Sequence, residues 1–431
     1  MAKELKVLEL FAGVGGFRIG LDNADKSLFK TKWSNQYEPS RKSQDAFDVY
    51  NYRFPDSENI GIDVAEISDE KFSSMDADMI VGGFPCQDYS VARSKKNEMG
   101  IQGKKGVLFW QIIRAAKDIH PKYMIFENVD RLLKAPAKQR GRDFSIMLTA
   151  LNSLGYSVEW RVINAADYGR AQRRRRVYFF VFRNDLPYAK HLDEKYDFDE
   201  ELIPDDAYDE YIFKEGLFAK QFPIKEELYK GRRAYYELPD DIVAASDNFT
   251  GKVFNTGIMR HGKYFTIDSV PNSDKKPTPL RDIVQPEDDI DEKYYIDDQA
   301  KIDKFAYLRG PKHIERTSAD GHTYTYSEGG MSPYEDLSLP GRTMLTSEGS
   351  VNRSTHWLKI NDRYRVLTPI EAERMQDFPD DWTKYKIVDG EVKEVSDRMR
   401  MFFMGNALVT SIIEGIGKGI KEIVNEYDKN I

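Results

Sequence analysis

Residues 1–184 alternate between strand-like and helix-like segments, and this alternation constrains the fold more than any other feature of the chain. Residues 107–119 carry apolar side chains at helical spacing. Apolar runs of strand length lie at 6–10, 77–83, 123–129, 158–164 and 176–182. Strands that alternate with helices favour a parallel, doubly wound α/β sheet, so we predict the α/β class. In such a sheet the ligand site lies beyond the carboxyl ends of the strands.

The chain becomes less regular after this region. Residues 185–340 are acidic, rich in tyrosine and interrupted by Pro, Gly and Asp-Asp pairs, which predicts a smaller, irregular second domain. Residues 368–379 have the Thr-Pro start and Pro stop of a helix. Residues 406–424 carry apolar side chains four apart, and we expect this amphipathic helix to dock on the first domain. The predicted division is 1–184, 185–400 and a returning segment at 401–431.

Composition limits the class of protein. Hydrophobic residues make up 40% of the chain, and no apolar run reaches the ~18 residues of a membrane span. The single cysteine excludes an internal disulfide and a multi-cysteine zinc site; we predict no metal and a cytoplasmic location. The net charge of −8 argues mildly against a nucleic-acid partner. However, residues 170–176 are strongly basic and 192–211 strongly acidic, so a local patch can still hold phosphates.

A glycine-rich turn, FAGVGGFRIG at 11–20, follows the first strand and opens a helix. Gly13, Gly15 and Gly16 let the backbone turn sharply and approach a ligand, and the helix start offers N–H groups to an anion. The sixth place of the dinucleotide-binding pattern holds Arg18 instead of glycine, which argues against a nicotinamide-dependent dehydrogenase. The turn alone is equally compatible with a ligand site and with a plain tight turn.

Two polar stretches, WSNQYEPS (33–40) and GIDVAEI (61–67), are predicted to mark the ends of two further strands. In WSNQYEPS (33–40), Gln36 or Glu38 suits a ribose diol and Tyr37 suits stacking on adenine. Glu38 followed by Pro and Ser is equally typical of a helix start. Asp63 ends another predicted strand, where it suits an adenine amine.

The only cysteine, Cys86, lies in GGFPCQDYS (82–90). A lone cysteine is more often buried packing than a nucleophile. Cys86, however, lies in a loop of Gly, Pro and polar residues at a strand end, and Pro85 stiffens the backbone before it. This placement favours a catalytic thiol.

Charged residues mark two further strands. Glu127, in FENVDR (126–131), ends an apolar strand. Partial desolvation at such a place raises the pKa of a carboxyl group, which suits it to donate a proton. The alternative is an ion pair between Glu127 and a neighbouring arginine. In QRRRRVYFF (172–180), alternation places Arg174 and Arg176 on one face, where guanidinium groups suit phosphate and carbonyl oxygens. The alternative is a solvated charged turn.

Five motifs occur in an order that resembles the DNA cytosine-5 methyltransferase family of prokaryotic restriction-modification systems. In chain order they are FxGxGG, FPCQ, ENV, QRRRR and MGNAL (404–408). The resemblance spans both ends of the chain and leaves 185–340 uncovered. It implies the S-adenosylmethionine-dependent methyltransferase fold, with S-adenosylmethionine as methyl donor and S-adenosylhomocysteine as product. It also implies that 1–184 is the catalytic and cofactor-binding domain, and that the uncovered insert contains the target-recognition region.

The resemblance assigns roles to individual residues. Catalytic roles fall on Cys86 as nucleophile, Glu127 at cytosine N3, and Arg174 and Arg176 at the flipped nucleotide and the Cys86 loop. Donor contacts fall on Phe11, Gly13, Gly15, Gly16, Gln36, Tyr37, Glu38, Asp63, Val64, Pro85, Leu108 and Asn406. Beyond the roles that the resemblance implies, we predict nucleic-acid contacts for Gln87, Ser90, Gln172 and Arg173. Family members often carry Glu followed by an aromatic after the second strand; this chain has Gln36-Tyr37, so either Gln36 or Glu38 takes the ribose.

The expected partner is double-stranded DNA bound by a monomer, with a cognate restriction endonuclease acting on the same site. The acidic segment 192–211 is expected to face away from the DNA. An RNA (tRNA) cytosine-5 methyltransferase uses the same motifs, but a large insert after QRRRR favours DNA sequence reading. A non-catalytic nucleic-acid-binding relative would have no need of Cys86 and Glu127.

Overall fold

The computed structural model describes residues 4–84, 108–196, 208–227, 232–239, 241–318 and 321–429. Its centre is a ten-stranded sheet with the order β3-β2-β1-β4-β5-β7-β6-β9-β10-β8. The strands are β1 (Leu5–Leu10), β2 (Phe29–Asn35), β3 (Glu58–Ile60), β4 (Met79–Gly83), β5 (Tyr123–Val129), β6 (Tyr156–Asn164), β7 (Arg175–Arg183), β8 (Arg233–Glu237), β9 (Thr256–Arg260) and β10 (Lys263–Ile267). The five strands predicted from apolar runs are therefore confirmed.

The helices are α1 (Gly16–Asp25), α2 (Asp45–Arg53), α3 (Asp69–Ser74), α4 (Leu108–Ile119), α5 (Arg142–Ser153), α6 (Pro187–Lys195), α7 (Leu217–Gln221), α8 (Ile242–Asn248), α9 (Gln299–Arg309), α10 (Pro369–Met375), α11 (Asp397–Asn406) and α12 (Thr410–Glu426). Three two-stranded sheets lie outside the central one. They pair β11 (Lys312–Thr317) with β12 (Thr323–Glu328), β13 (Trp357–Ile360) with β14 (Arg363–Val366), and β15 (Tyr385–Val388) with β16 (Glu391–Glu394). In the described ranges, no helix has the length and apolar character needed to cross a membrane.

Helices cover both faces of the central sheet, which confirms the doubly wound α/β prediction. Alternate residues of β1 point to opposite faces: Val7 packs into the core that contains α1 and α12, and Leu8 into the core that contains α4 and α5. Strands buried on both faces read as continuous apolar runs, which explains why the sequence pattern was clear here.

Seven strands, β1 to β6 and β10, run in one direction, and β7, β8 and β9 run in the other. β7 departs from the predicted parallel arrangement because the connection from Asn164 to Arg175 is too short for a helical crossover. β7 lies between β5 and β6, and this pairing sets Val129 opposite Arg176. The carboxyl end of β5 therefore lies beside the first arginines of β7.

The predicted boundary at residue 184 does not interrupt the sheet. β9 pairs with β6, and β10 and β8 continue outward from β9, so residues 233–267 extend the sheet of the first domain. Of the acidic segment 192–211, residues 197–207 lie outside the described residues.

The chain returns to its beginning through α12, which packs along α1. A Cβ atom on Gly20 would lie 2.5 Å from the Ile413 side chain, and one on Gly417 would lie 2.7 Å from Ala24. Small residues at these crossing points therefore let the two helices approach closely. The apolar residues of the predicted helix, Leu408, Ile412, Ile416, Ile420 and Val424, are all buried.

Candidate active site

The glycine-rich turn needs glycine at two positions because of its backbone conformation. Gly13 and Gly15 have φ angles of 55° and 92°, in the left-handed region that favours glycine. A Cβ atom on Gly15 would also lie 2.4 Å from the Phe54 ring. The N–H of Gly13 donates to Oε1 of Gln36 at 2.8 Å, so the turn after β1 and the end of β2 are joined directly.

Glu38 and Asp63 lie beyond the ends of β2 (Asn35) and β3 (Ile60), so Asp63 follows a strand and does not end one as predicted. Glu38 forms an ion pair with Arg41 (Nε to Oε2, 3.1 Å), and burial raises the pKa of its carboxyl group. The Asp63 carboxylate accepts from the N–H of Ala65 at 3.0 Å and caps the short helical turn that contains Val64. Both acidic side chains are thus held in place by neighbours at the carboxyl edge of the sheet.

These residues surround one cavity of about 770 Å³. It is lined by the predicted residues Phe11, Gly13, Gly16, Gln36, Tyr37, Glu38, Asp63, Val64, Leu108, Glu127, Arg174, Arg176 and Asn406. Gly15 packs against Phe54 and does not line the cavity. The predicted residues Pro85, Cys86, Gln87 and Ser90 lie outside the described residues. The cavity therefore brings together sequence motifs from both ends of the chain.

Glu127 lies at the cavity wall where β5 ends. Its Oε1 forms an ion pair with Nε of Arg176 at 2.8 Å, as the alternative interpretation of this residue predicts. Its other oxygen lies 3.0 Å from the point where a Cβ atom on Gly83 would be. Gly83 is the β4 residue paired with Glu127, so only a residue without a side chain leaves this room. Cys86 follows Gly83 by three residues in the sequence.

Asn128 of the ENV motif connects β5 to β4. Its side-chain amide donates to the carbonyl oxygen of Phe84 at 2.8 Å, and Asn128 is 2% exposed. The start of the segment that carries Cys86 is thus anchored beside Glu127.

Arg174 has a different environment from Arg176. It is buried, and its guanidinium donates to the carbonyl oxygens of Met344 (3.0 Å) and Gly405 (3.1 Å). Burial and the nearby charge of Arg176 lower the pKa of Arg174 to about 9. Arg174 therefore joins the start of β7 to the 341–349 loop and to α11.

The prediction that Gln172 contacts nucleic acid needs correction. Gln172 is fully buried, with its amide donating to the Met375 carbonyl (3.1 Å) and its oxygen accepting from Met344 N–H (2.9 Å). Both hydrogen-bonding groups are used inside the protein, so Gln172 fixes the 341–349 loop. Its neighbour Arg173 is exposed and remains available for such a contact.

The sequence interpretation missed several residues of the cavity wall. Phe378, Phe402 and Phe403 line it from the region that precedes α12. Arg131 lines it directly after the ENV motif, where its charge was an available signal. The aromatic residues gave no such signal, since apolar residues near a helix are equally typical of a core.

Comparison with known proteins identifies the family and supports the fold. A family model for C-5 cytosine-specific DNA methylase matches residues 5–422, and the chain belongs to this family. The Type II methyltransferase M.Sau3AI of Staphylococcus aureus is 53% identical over 420 residues, which cover 97% of this chain and 96% of that protein. M.HhaI of Haemophilus parahaemolyticus is 31% identical over 183 residues, 42% of this chain and 50% of that protein.

Solved structures support the fold. The crystal structure of the S. pombe Dnmt2 methyltransferase matches with a TM-score of 0.57 and 14% sequence identity, covering 98% of this chain and 100% of that chain. Family membership confirms the predicted activity: the chain is a DNA cytosine-5 methyltransferase. It does not favour the RNA alternative.

Proposed function

We propose that the cavity binds S-adenosylmethionine and that the chain methylates C5 of a cytosine flipped out of double-stranded DNA. The observation that carries this proposal is that Glu127 and the glycine-rich turn face one cavity. A methyl donor held by the turn and a base held by Glu127 would then meet in the same space.

The cavity residues fit the donor. Its volume lies in the ~300–1,000 Å³ range of small-molecule sites. Phe11, Val64 and Leu108 offer apolar surface to an adenine, and the start of α1 offers N–H groups to a carboxylate. When bound, the donor supplies an electrophilic methyl group.

The end of β2 favours Gln36 as the ribose partner. The Gly13 N–H already occupies the Gln36 oxygen, so the amide is fixed in place and its NH₂ group is left to donate. The Glu38 carboxylate is instead engaged by Arg41. Gln36 thus takes the role that a glutamate often has in the family.

The chemistry that we propose for the protein groups starts at Cys86. Its thiolate adds to C6 of the cytosine, which places electron density at C5. C5 would then displace the donor's sulfur from the methyl carbon, so that S-adenosylhomocysteine leaves with the electron pair of the broken bond. Glu127, oriented by Arg176, accepts a hydrogen bond from the exocyclic amine and gives a proton to N3, where negative charge develops. The C5 proton then passes to water and the bond between Cys86 and C6 breaks.

Flipping the base costs a few kcal/mol, which phosphate contacts must offset. A basic edge next to the cavity suits this role; we define it as Arg131, Lys134, Lys138 and Arg140. All four side chains are exposed, and residues 131–142 contain no acidic residue. Exposed Arg173 extends this edge at the start of β7, beside the end of β5, whereas Arg175 pairs with Asp130 at 3.1 Å.

Replacing the four residues of the basic edge with alanine should weaken DNA binding and make it less sensitive to salt. Each phosphate contact that is lost makes the slope of log K against log salt concentration shallower by ~0.9, hence by up to ~3.6 for four contacts. Fluorescence anisotropy of a labelled duplex, measured over a range of salt concentrations, gives this slope.

The matched control replaces Lys26, Lys30, Lys32 and Lys117. These lysines lie near the start of β2 and at the end of α4, away from the carboxyl edge of the sheet. This control should keep the wild-type slope. Equal slopes for the wild type and the basic-edge variant would exclude the basic edge as a phosphate-binding surface.

Transfer of labelled methyl groups from S-adenosylmethionine to duplex DNA and to tRNA tests the proposed function as a whole. We expect label in duplex DNA, and bisulfite sequencing of that DNA should place 5-methylcytosine in one sequence context. Label in tRNA with none in DNA would contradict the proposal.

We further propose that the enzyme acts as a cytoplasmic monomer and protects DNA from a cognate restriction endonuclease. The name of M.Sau3AI, a Type II methyltransferase that aligns with nearly the whole chain, supports the restriction-modification role.

A further inference from the structure

A two-stranded hairpin, β11 and β12, extends from the region before the 341–349 loop. Its two strands pair over six residues each and form a sheet of their own. A two-stranded hairpin is marginally stable in water unless it packs against something else. Most of its side chains are exposed, so both faces of the hairpin are open to solvent.

One face of this hairpin is a continuous row of hydrogen-bonding groups. It contains the exposed residues His313, Glu315, Thr317, Thr323, Thr325 and Ser327. His313 and Ser327 are opposite one another and share a 3.1 Å hydrogen bond. A two-stranded ribbon fits the major groove of B-DNA with one face towards the base edges, and hydroxyl groups on its other face can reach phosphate oxygens.

The other face positions one arginine. Arg316 is exposed, and its guanidinium carbon lies 4.1 Å from the centre of the Tyr326 ring. Within the part of the chain that the structure describes, Arg316 forms no ion pair. Its planar group is thus held by stacking while its N–H groups are left to donate, and such a fork suits O6 and N7 of guanine.

Charged groups fix the base of the hairpin. Lys312 pairs with Glu328 at 3.0 Å, and Arg353 pairs with the same carboxylate at 2.8 Å. Arg353 also donates to the carbonyl oxygens of Leu308 and Gly329, on either side of the hairpin. These contacts hold the hairpin against the 342–355 segment.

The buried carboxylate of Glu335 links α9, which precedes the hairpin, to Arg342 in the loop near the cavity. Glu335 pairs with Arg309 at the end of α9 and with Arg342 at 2.7 Å. Burial alone would raise its pKa, but the Arg342 and Arg309 hydrogen bonds and the nearby His356 lower the pKa of Glu335 to about 2. Gly341, next to Arg342, accepts from Arg173 N–H at 2.8 Å. Direct contacts therefore join the hairpin base to the arginines at the active site.

We propose that the β11–β12 hairpin enters the DNA major groove and that Arg316 reads a guanine in the recognised site. This inference rests on the proposed function and adds the element that selects the sequence. Arg316 is a specificity-determining residue and takes no part in methyl transfer itself.

The test compares Arg316→Ala and Arg316→Lys with the wild type in two measurements. The first is the methylation rate on the duplex that the wild type methylates; if none is methylated, a duplex enriched by binding selection serves for the second measurement alone. The second is protection of guanine N7, which lies in the major groove, from dimethyl sulfate. We expect both variants to lose protection of one guanine, to slow about 5- to 150-fold, and to tolerate substitution of that base pair.

Arg363→Ala is the matched control, because Arg363 also stacks on a tyrosine ring, 3.8 Å from the centre of Tyr295, but it is half-buried and pairs with Glu292 and Asp297. It should keep the wild-type protection pattern. The two Arg316 variants should unfold at the wild-type temperature, since this side chain is exposed. Wild-type protection and rate in Arg316→Ala would overturn the proposal. A lysine variant that regains the rate without protecting that guanine would also overturn it, because this result indicates a phosphate contact.

The two measurements separate this inference from the proposed function. A wild-type protein that protects the guanine but transfers no methyl group would contradict the proposed function and leave the hairpin contact standing. A wild-type protein that transfers methyl groups without guanine protection would do the reverse.

Discussion

Cys86→Ala should abolish methyl transfer, lowering kcat by at least ~10⁴-fold, because the proposed route begins with addition of this thiolate to C6. Without that bond, C5 lacks the electron density to attack the methyl group. Radiolabel incorporation into duplex DNA at saturating donor measures the loss. The variant should still bind DNA and S-adenosylmethionine, which shows that the loss lies in chemistry.

A second measurement examines the covalent bond itself. A duplex with 5-fluorocytosine at the target position cannot release its C5 substituent as a proton, so the adduct should accumulate and survive denaturation. Because Cys86 is the only cysteine, no other thiol of the chain can form it. Substantial methyl transfer by Cys86→Ala, or a stable adduct in that variant, would contradict the assignment.

Glu127→Gln should lower kcat by about 10²- to 10³-fold with little change in DNA affinity, since a charge-stabilising contact at the reacting base is lost. Glutamine has nearly the same shape but cannot carry the charge that pairs with Arg176. Single-turnover methylation with saturating DNA and donor isolates this step.

Glu391→Gln is the matched control, because Glu391 is an exposed residue at the start of β16. It should leave the rate unchanged. A Glu127→Gln variant within about threefold of the wild-type rate would show that the contact with N3 contributes little, and Glu127 would then be only the partner of Arg176.

The parts of the fold that the sequence predicts are those with local signals. The apolar runs of β1, β4 and β5 are buried on both faces, so their strand character shows in composition alone. The motifs of the cavity wall follow those strands, so the topology of a doubly wound sheet brings them together. The antiparallel course of β7 had a signal too, in the short connection after Asn164.

The parts that were missed depend on distant partners. β9 joins the sheet by pairing with β6, from which it is separated by nearly a hundred residues, and no local pattern reports that pairing. Gln172 lies in a basic run typical of a surface, yet its partner Met375 is 203 residues away. A residue that is buried by contacts with distant parts of the chain cannot be recognised as buried from a single sequence.

The close packing of α1 and α12 has a consequence for synthesis on the ribosome. α1 emerges early, but the helix that covers it begins only at Thr410. Until then the apolar face of α1 has no native cover, and Arg174 lacks its Gly405 contact. The nascent chain must therefore keep this surface from aggregating until α12 has been made, and the cavity can close only after α11 has been made.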